Sequence, residues 1–96
     1  MSADIKKQVL GEIEELEKST GLNRYLDDVL EITYLIGSDK KYKGVELLVA
    51  FGGPNVYVNT QYNEVEGFWG SDSCKFSYKD NIGLDDYFKE MWDCIK

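Results

Sequence analysis

Between Glu31 and Tyr78 the apolar side chains recur at every second position, a period that suits a β-strand and no helix. Ile32, Tyr34 and Ile36 alternate with Glu31, Thr33 and Leu35, and the segment GSDKKYKG then predicts a turn. Val45, Leu47, Val49 and Phe51 alternate with Glu46, Leu48 and Ala50. The segment GGPN ends that strand, because Pro54 has no N–H for a ladder and Gly52 and Gly53 tolerate positive φ. Val56 and Val58 alternate with Tyr57 and Asn59. After a turn at TQYN, Val65 and Trp69 face one way while Glu64, Glu66 and Phe68 face the other. Gly70, Ser71 and Asp72 turn the chain again, and Cys74, Phe76 and Tyr78 predict a fifth strand. Links this short favour an antiparallel meander over parallel crossovers.

On either side of this span the period is helical. Ile5, Val9, Ile13 and Leu16 lie on one stripe of a helix predicted over residues 3–19, with Ser2 as its N-cap and Asp4 in the first turn, where the dipole favours an acid. Glu14 and Lys18 form an i,i+4 pair, and Gly21 ends the helix. NRYLDDVL predicts a short second helix capped by Asn23. Near the C-terminus, Leu84, Phe88, Met91, Trp92 and Ile95 form a full apolar stripe, expected to pack Phe88, Met91 and Trp92 against Leu47 and Val49. Ninety-six residues make one domain, spanning 1–96. The reading is α+β: an antiparallel meander sheet of four or five strands, with the terminal helices packed on one face.

Eighteen acids against eleven bases give a net charge of −7, a field that repels phosphate backbones. Direct nucleic-acid binding is therefore not expected, and a protein with a basic surface is the favoured partner. No apolar run approaches the roughly 20 residues that cross a bilayer, and the N-terminus lacks a signal-type apolar region. The expectation is a cytoplasmic chain without a membrane partner, in which Cys74 and Cys94 are reduced thiols in or near the core. With no histidine, the chain excludes a Ser–His triad and the HExxH zinc motif, and two cysteines alone do not make a structural zinc site. Neither a phosphate loop nor a dinucleotide fingerprint is present, and the acids do not match a calcium loop. No metal and no cofactor is expected.

What remains is the sheet face turned away from the helices. It is expected to carry Leu35, Leu48, Ala50, Tyr57 and Phe68, ringed by Glu31, Glu46, Asn59, Glu64 and Glu66. Apolar residues with an acidic rim suit a protein-binding surface, unless a helix or the NRYLDD segment covers it. Tyr57, Asn59, Glu64, Glu66 and Phe68 are the expected partner-binding residues of a small acidic, non-enzymatic module. Two rival readings stand beside it. Glu64 and Glu66, roughly 6.5–7 Å apart at alternate strand positions, could serve a small hydrolase or transferase as a carboxylate pair. The same face could also join two copies in a structural homodimer.

At GGPNVYVNT and VEGFWGSD, followed by a short acidic C-terminal helix containing Cys94, the chain resembles a family of small uncharacterised proteins of Gram-positive bacteria and their mobile elements. The likeness runs from Val45 onward and assigns no role to any residue. It implies a setting, in which small acidic proteins of mobile elements act as inhibitors of host nucleic-acid-handling or defence systems, of the anti-CRISPR or anti-restriction type.

Overall fold

Three helices and five strands make up residues 3–18 and 21–95, the part of the chain described by a computed structural model. The expected Ser2 cap, and Ser19 at the end of the first helix, lie outside the described residues. Helix α1 runs Ala3–Lys18 and α2 runs Leu22–Leu26. The strands β1 (Glu31–Ile36), β2 (Tyr42–Ala50), β3 (Asn55–Asn59), β4 (Glu64–Trp69) and β5 (Asp72–Ser77) follow, and α3 (Leu84–Ile95) ends the chain. Each strand pairs antiparallel with the next, giving one five-stranded meander in the order β1-β2-β3-β4-β5. This is the α+β architecture that the change of period implies.

Both long helices lie on one face. Helix α1 covers β4 and β5, and α3 lies over β2. Ile5, Val9 and Leu16 of α1 are buried with Val45, Leu47, Val56, Val58 and Val65 of the sheet and with Leu84 and Phe88 of α3. Gly67 sets how closely α1 approaches. A Cβ there would stand 2.7 Å from Val9 Cγ2 and 2.9 Å from Ile5 Cγ2, so only hydrogen leaves room for the helix.

The strand alternation breaks where β2 carries an extra residue, and it does so twice. Opposite β1, Leu35 pairs with Gly44 and Ile36 with Tyr42, so Lys43 is the extra residue and Tyr42 joins the helix-side face. Strand β2 therefore begins inside the segment expected to turn. The turn itself is only Gly37–Lys41, closed by Lys40 N–H on the Gly37 carbonyl and by Lys41 N–H on Asp39 Oδ1. Opposite β3, Leu48 pairs with Tyr57 but Ala50 with Val56, so Val49 is the extra residue. Ala50 moves to the inner face with buried Val56, and Phe51, expected inside, is 73 % exposed.

Three further expectations are corrected. Asn23 lies within α2, whose N-cap is Gly21 in an extended conformation; the helix is held by buried Tyr25, whose hydroxyl donates to Glu12 Oε2 on α1. The stripe of α3 is buried only at Leu84 and Phe88, while Met91 and Ile95 are exposed and Trp92 is half-buried. Phe88 and Trp92 both reach Tyr34 in β1, with ring centroids 6.1 and 5.8 Å away, and β1 is the sheet's edge. Among the described residues, no further strand lies beyond it to receive Met91 or Ile95. Cys94, expected in or near the core, is exposed, since it lies off the apolar stripe of α3, whereas Cys74 is buried.

Candidate functional site

The register lays out the outer face as rows across the strands. One row reads Thr33, Glu46, Asn59, Glu64 and Ser77; the next reads Glu31, Leu48, Tyr57, Glu66 and Lys75. A shorter third row holds Asn55, Phe68 and Ser73. Tyr57 and Phe68, diagonal neighbours on β3 and β4, meet edge to face with centroids 6.0 Å apart. The NRYLDD segment does not cover them, because Tyr25 ties it to α1 on the opposite side. Leu48 and Tyr57 remain half-exposed and Phe68 is 39 % exposed.

Four carboxylates share this face with one ammonium. Glu64 Oε1 lies 3.9 Å from Lys75 Nζ, a loose ion pair at a solvated surface. Lys75 belongs to this face by the same alternation, since Cys74 and Phe76 turn inward, although it is not among the residues expected there. The side chains of Glu31, Glu46 and Glu66 make no hydrogen bond or ion pair among the described residues. The expected contact residue Asn59 is already engaged: its Oδ1 accepts the Tyr62 N–H at 3.1 Å and shapes the β3–β4 turn. Two shallow depressions mark the face. Glu31, Thr33, Glu46, Leu48 and Tyr57 line one of about 170 Å³, and a second of about 200 Å³ extends from Tyr57 over Glu46, Glu64, Glu66 and Lys75.

The Tyr57–Phe68 pair continues around the end of the sheet. Trp69, expected inside, is 50 % exposed and lies on Gly53, where an added Cβ would sit 3.1 Å from its Cζ3. With Phe51, cis Pro54 and Phe68 it borders an open cleft of about 400 Å³. The turn is braced by the Gly52 N–H on Asn55 Oδ1, with Gly52 at φ 101°. Exposed aromatics therefore run from Tyr57 to Phe51.

A second polar cluster lies on the helix side and is half-buried, with Thr60 its buried member. Asp85 Oδ1 accepts from the Tyr42 hydroxyl at 2.9 Å and from Thr60 Oγ1 at 3.0 Å, while Thr60 Oγ1 accepts the Val45 N–H at 2.8 Å. Asp80 caps α3 through the N–H groups of Leu84 and Asp85. These bonds pin the start of α3 to β2 and β3. Asp85 thus does more than place an acid in the first turn of α3. Burial, with the neighbouring carboxylates second, pushes the Tyr78 phenol up, and burial likewise raises the Cys74 thiol. A raised thiol is a poor nucleophile, which fits Cys74 as a packing residue.

Among the described residues, no group of three or more Cys, Asp or Glu is placed to hold a metal ion, and no helix is long and apolar enough to cross a membrane. No protein-family model matches the chain, and no curated protein or solved structure is a match to it.

Proposed function

We propose that this protein is a binding module whose outer sheet face docks on a basic surface of a partner protein. The observation that carries the reading is the uncovered Tyr57–Phe68 pair, set among Glu31, Glu46, Glu64 and Glu66 with Lys75 as the one cation in those rows. Aromatic side chains supply contact area at little entropic cost, and carboxylates around them select for positive charge. Phe51 and Trp69 extend the apolar area to the sheet end. The action proposed is occupation of a nucleic-acid-handling protein in the cytoplasm, as an inhibitor of a host defence system. That setting rests on the resemblance and the charge.

The rival readings fit less well. Glu64 and Glu66 face a shallow depression of about 200 Å³, below the roughly 300–1,000 Å³ of sites that enclose a substrate. Two copies meeting through this face would set carboxylates against carboxylates, a juxtaposition that disfavours association.

Capture from cells of the source organism tests the proposal, using wild type, Tyr57→Ala and the double change Glu64→Lys with Glu66→Lys. Tyr57→Ala should weaken retention at least tenfold, and the double reversal should slow association most at low salt. A partner held equally by all three proteins would sink the reading. If Glu64→Gln instead abolished a turnover while leaving substrate affinity unchanged, the carboxylate-pair reading would replace it.

A further inference from the structure

Strand β1 is an edge that lacks the usual defences against pairing. Its residues, EITYLI, include no proline and no lysine, and Glu31 is their only charge. Both bulges of this part of the sheet lie in β2, so β1 itself is regular. Among the described residues, no backbone group outside β2 is hydrogen-bonded to it. Residues 31–33 are exposed and 34–36 half-exposed, and apolar side chains concentrate here: Ile32 is 46 % exposed and Leu30, just before the strand, 61 %. The opposite edge, β5, carries Asp72 and Lys75 and lies under α1.

We infer that β1 pairs antiparallel with β1 of a second copy, about a two-fold axis at Thr33, joining the two meanders into one ten-stranded sheet. The side chains of this strand are self-complementary in that register and so select the occupant. Residues directly opposite in an antiparallel ladder point to the same face, so a symmetric pairing must match even with even and odd with odd positions. Centring on Thr33 sets Thr33 against Thr33, Ile32 against Tyr34, Glu31 against Leu35 and Leu30 against Ile36. Thr–Thr and aromatic–β-branched pairs are among the stabilising cross-strand combinations. Each Glu31 meets a leucine, so the strand's only charge never faces its twin. On the helix side, Ile32 of one copy covers Tyr34 of the other beside Trp92. The carboxylates of β4 stay three strands away from the axis.

The contact is small. A six-residue strand is about 20 Å long and the molecule's shortest dimension is 21 Å, so roughly 400 Å² of flat area per copy meets, at the low end for specific interfaces. Each chain also carries a charge of −7. The dimer is therefore a concentration-dependent equilibrium that rises with salt, as screening removes the repulsion between copies.

Sedimentation velocity from micromolar to millimolar protein, at low and high salt, reads this directly. Wild type should pass from 11.0 kDa toward twice that mass, and further at high salt. Thr33→Lys sets two ammonium groups against each other at the axis and should hold the protein monomeric. Thr33→Val keeps the β-branched pair and should dimerise like wild type, and Glu31→Lys at least as readily, since residue 31 faces Leu35 in this register and the change eases the repulsion between copies. Amide hydrogen exchange supplies the backbone readout: protection should rise with concentration in β1 and not in β5. Circular dichroism checks that each variant is folded. A monomer under all conditions overturns the inference, and so does a dimer that survives Thr33→Lys without protection in β1. Thr33 lines the outer-face depression, so partner capture is judged by Tyr57→Ala, which leaves β1 unaltered, and the dimer by sedimentation and β1 protection; the two losses are then separately visible.

Discussion

Gly67→Ala should destabilise the fold, although the general rule for such a change runs the other way. Replacing glycine by alanine restricts the unfolded chain and by itself gains roughly 0.4–1 kcal/mol. At Gly67 the new methyl would lie 2.7 Å from Val9 Cγ2 and 2.9 Å from Ile5 Cγ2. Carbon atoms rest about 3.5–4.0 Å apart, so α1 must lift by close to 1 Å or both side chains must leave their wells. Val9 and Ile5 are fully buried, which leaves them nowhere to go. Overpacking of this kind costs about 1–3 kcal/mol, for a net loss of roughly 1–2 kcal/mol. In a domain of this size that lowers Tm by roughly 4–16 °C. Gly11→Ala is the internal control, since nothing lies within 4 Å of its Cβ position and a mid-helix glycine costs about 1 kcal/mol relative to alanine. Thermal and urea unfolding followed by circular dichroism should move the two variants in opposite directions. If Gly67→Ala stabilised the protein as Gly11→Ala does, α1 would not seat on β4 as described. A positive coupling between Gly67→Ala and Val9→Ala, measured by a double-mutant cycle, would locate the strain at that contact.

Phe88→Ala, at a site 2 % exposed, should cost about 3–5 kcal/mol, and Trp92→Ala, half-buried on Tyr34, clearly less; equal losses in urea unfolding would refute the placement of α3. Thr60→Val strips the Val45 N–H of its acceptor and Asp85 of a donor, and should cost about 1–3 kcal/mol by the same assay. Burial, opposed in part by the Tyr25 hydrogen bond, raises the Glu12 carboxyl above 4.5. The folded state then binds the extra proton, so this group's contribution falls as pH climbs from about 4.5 through the raised folded value. Glu12→Gln should therefore flatten the stability–pH curve across that window, and an unchanged slope would refute the assignment.

Most of the sheet could be read from alternation alone because its signal is local. Val45, Leu47, Val56, Val58 and Val65 were expected inside and are there, since each lies in a stretch of unbroken period two. The misplacements lie at the end of β2, in the last turns of α3 and at the rim of the sheet. One extra residue at Val49 sends Ala50 in and leaves Phe51 exposed, and no residue type announces such a bulge. Met91 and Ile95 continue the stripe perfectly in sequence, but a helix stripe does not say where the sheet beneath it stops. Trp69 lies outside because Gly53 offers it a flat backbone to cover, a contact fixed by the turn across from it. Gly67 sits unremarked in the alternation of β4, and its role shows only when the helix about 60 residues earlier is laid over it. Residues of the candidate site were legible for the same reason as the core, as the other half of the alternation.

In the proposed reading, the outer face separates binding from folding. The side-chain hydrogen bonds that fix the fold lie on the helix side or in turns: Tyr25 to Glu12, Tyr42 and Thr60 to Asp85, Asp80 on the start of α3, Asn55 and Asn59 in their turns. Glu31, Glu46 and Glu66 take part in none of these, and Glu64 has only its loose contact with Lys75. Like charges gathered on one face repel, so these acids work against the fold that carries them. Charge reversal at Glu64 and Glu66 should accordingly leave stability within about 0.5 kcal/mol or raise it slightly. Solubility explains acids anywhere on a surface, but it does not explain leaving Tyr57 and Phe68 uncovered among them. The proposed basic surface would account for both the uncovered aromatics and the repulsion, because it would bury the first and relieve the second in one contact.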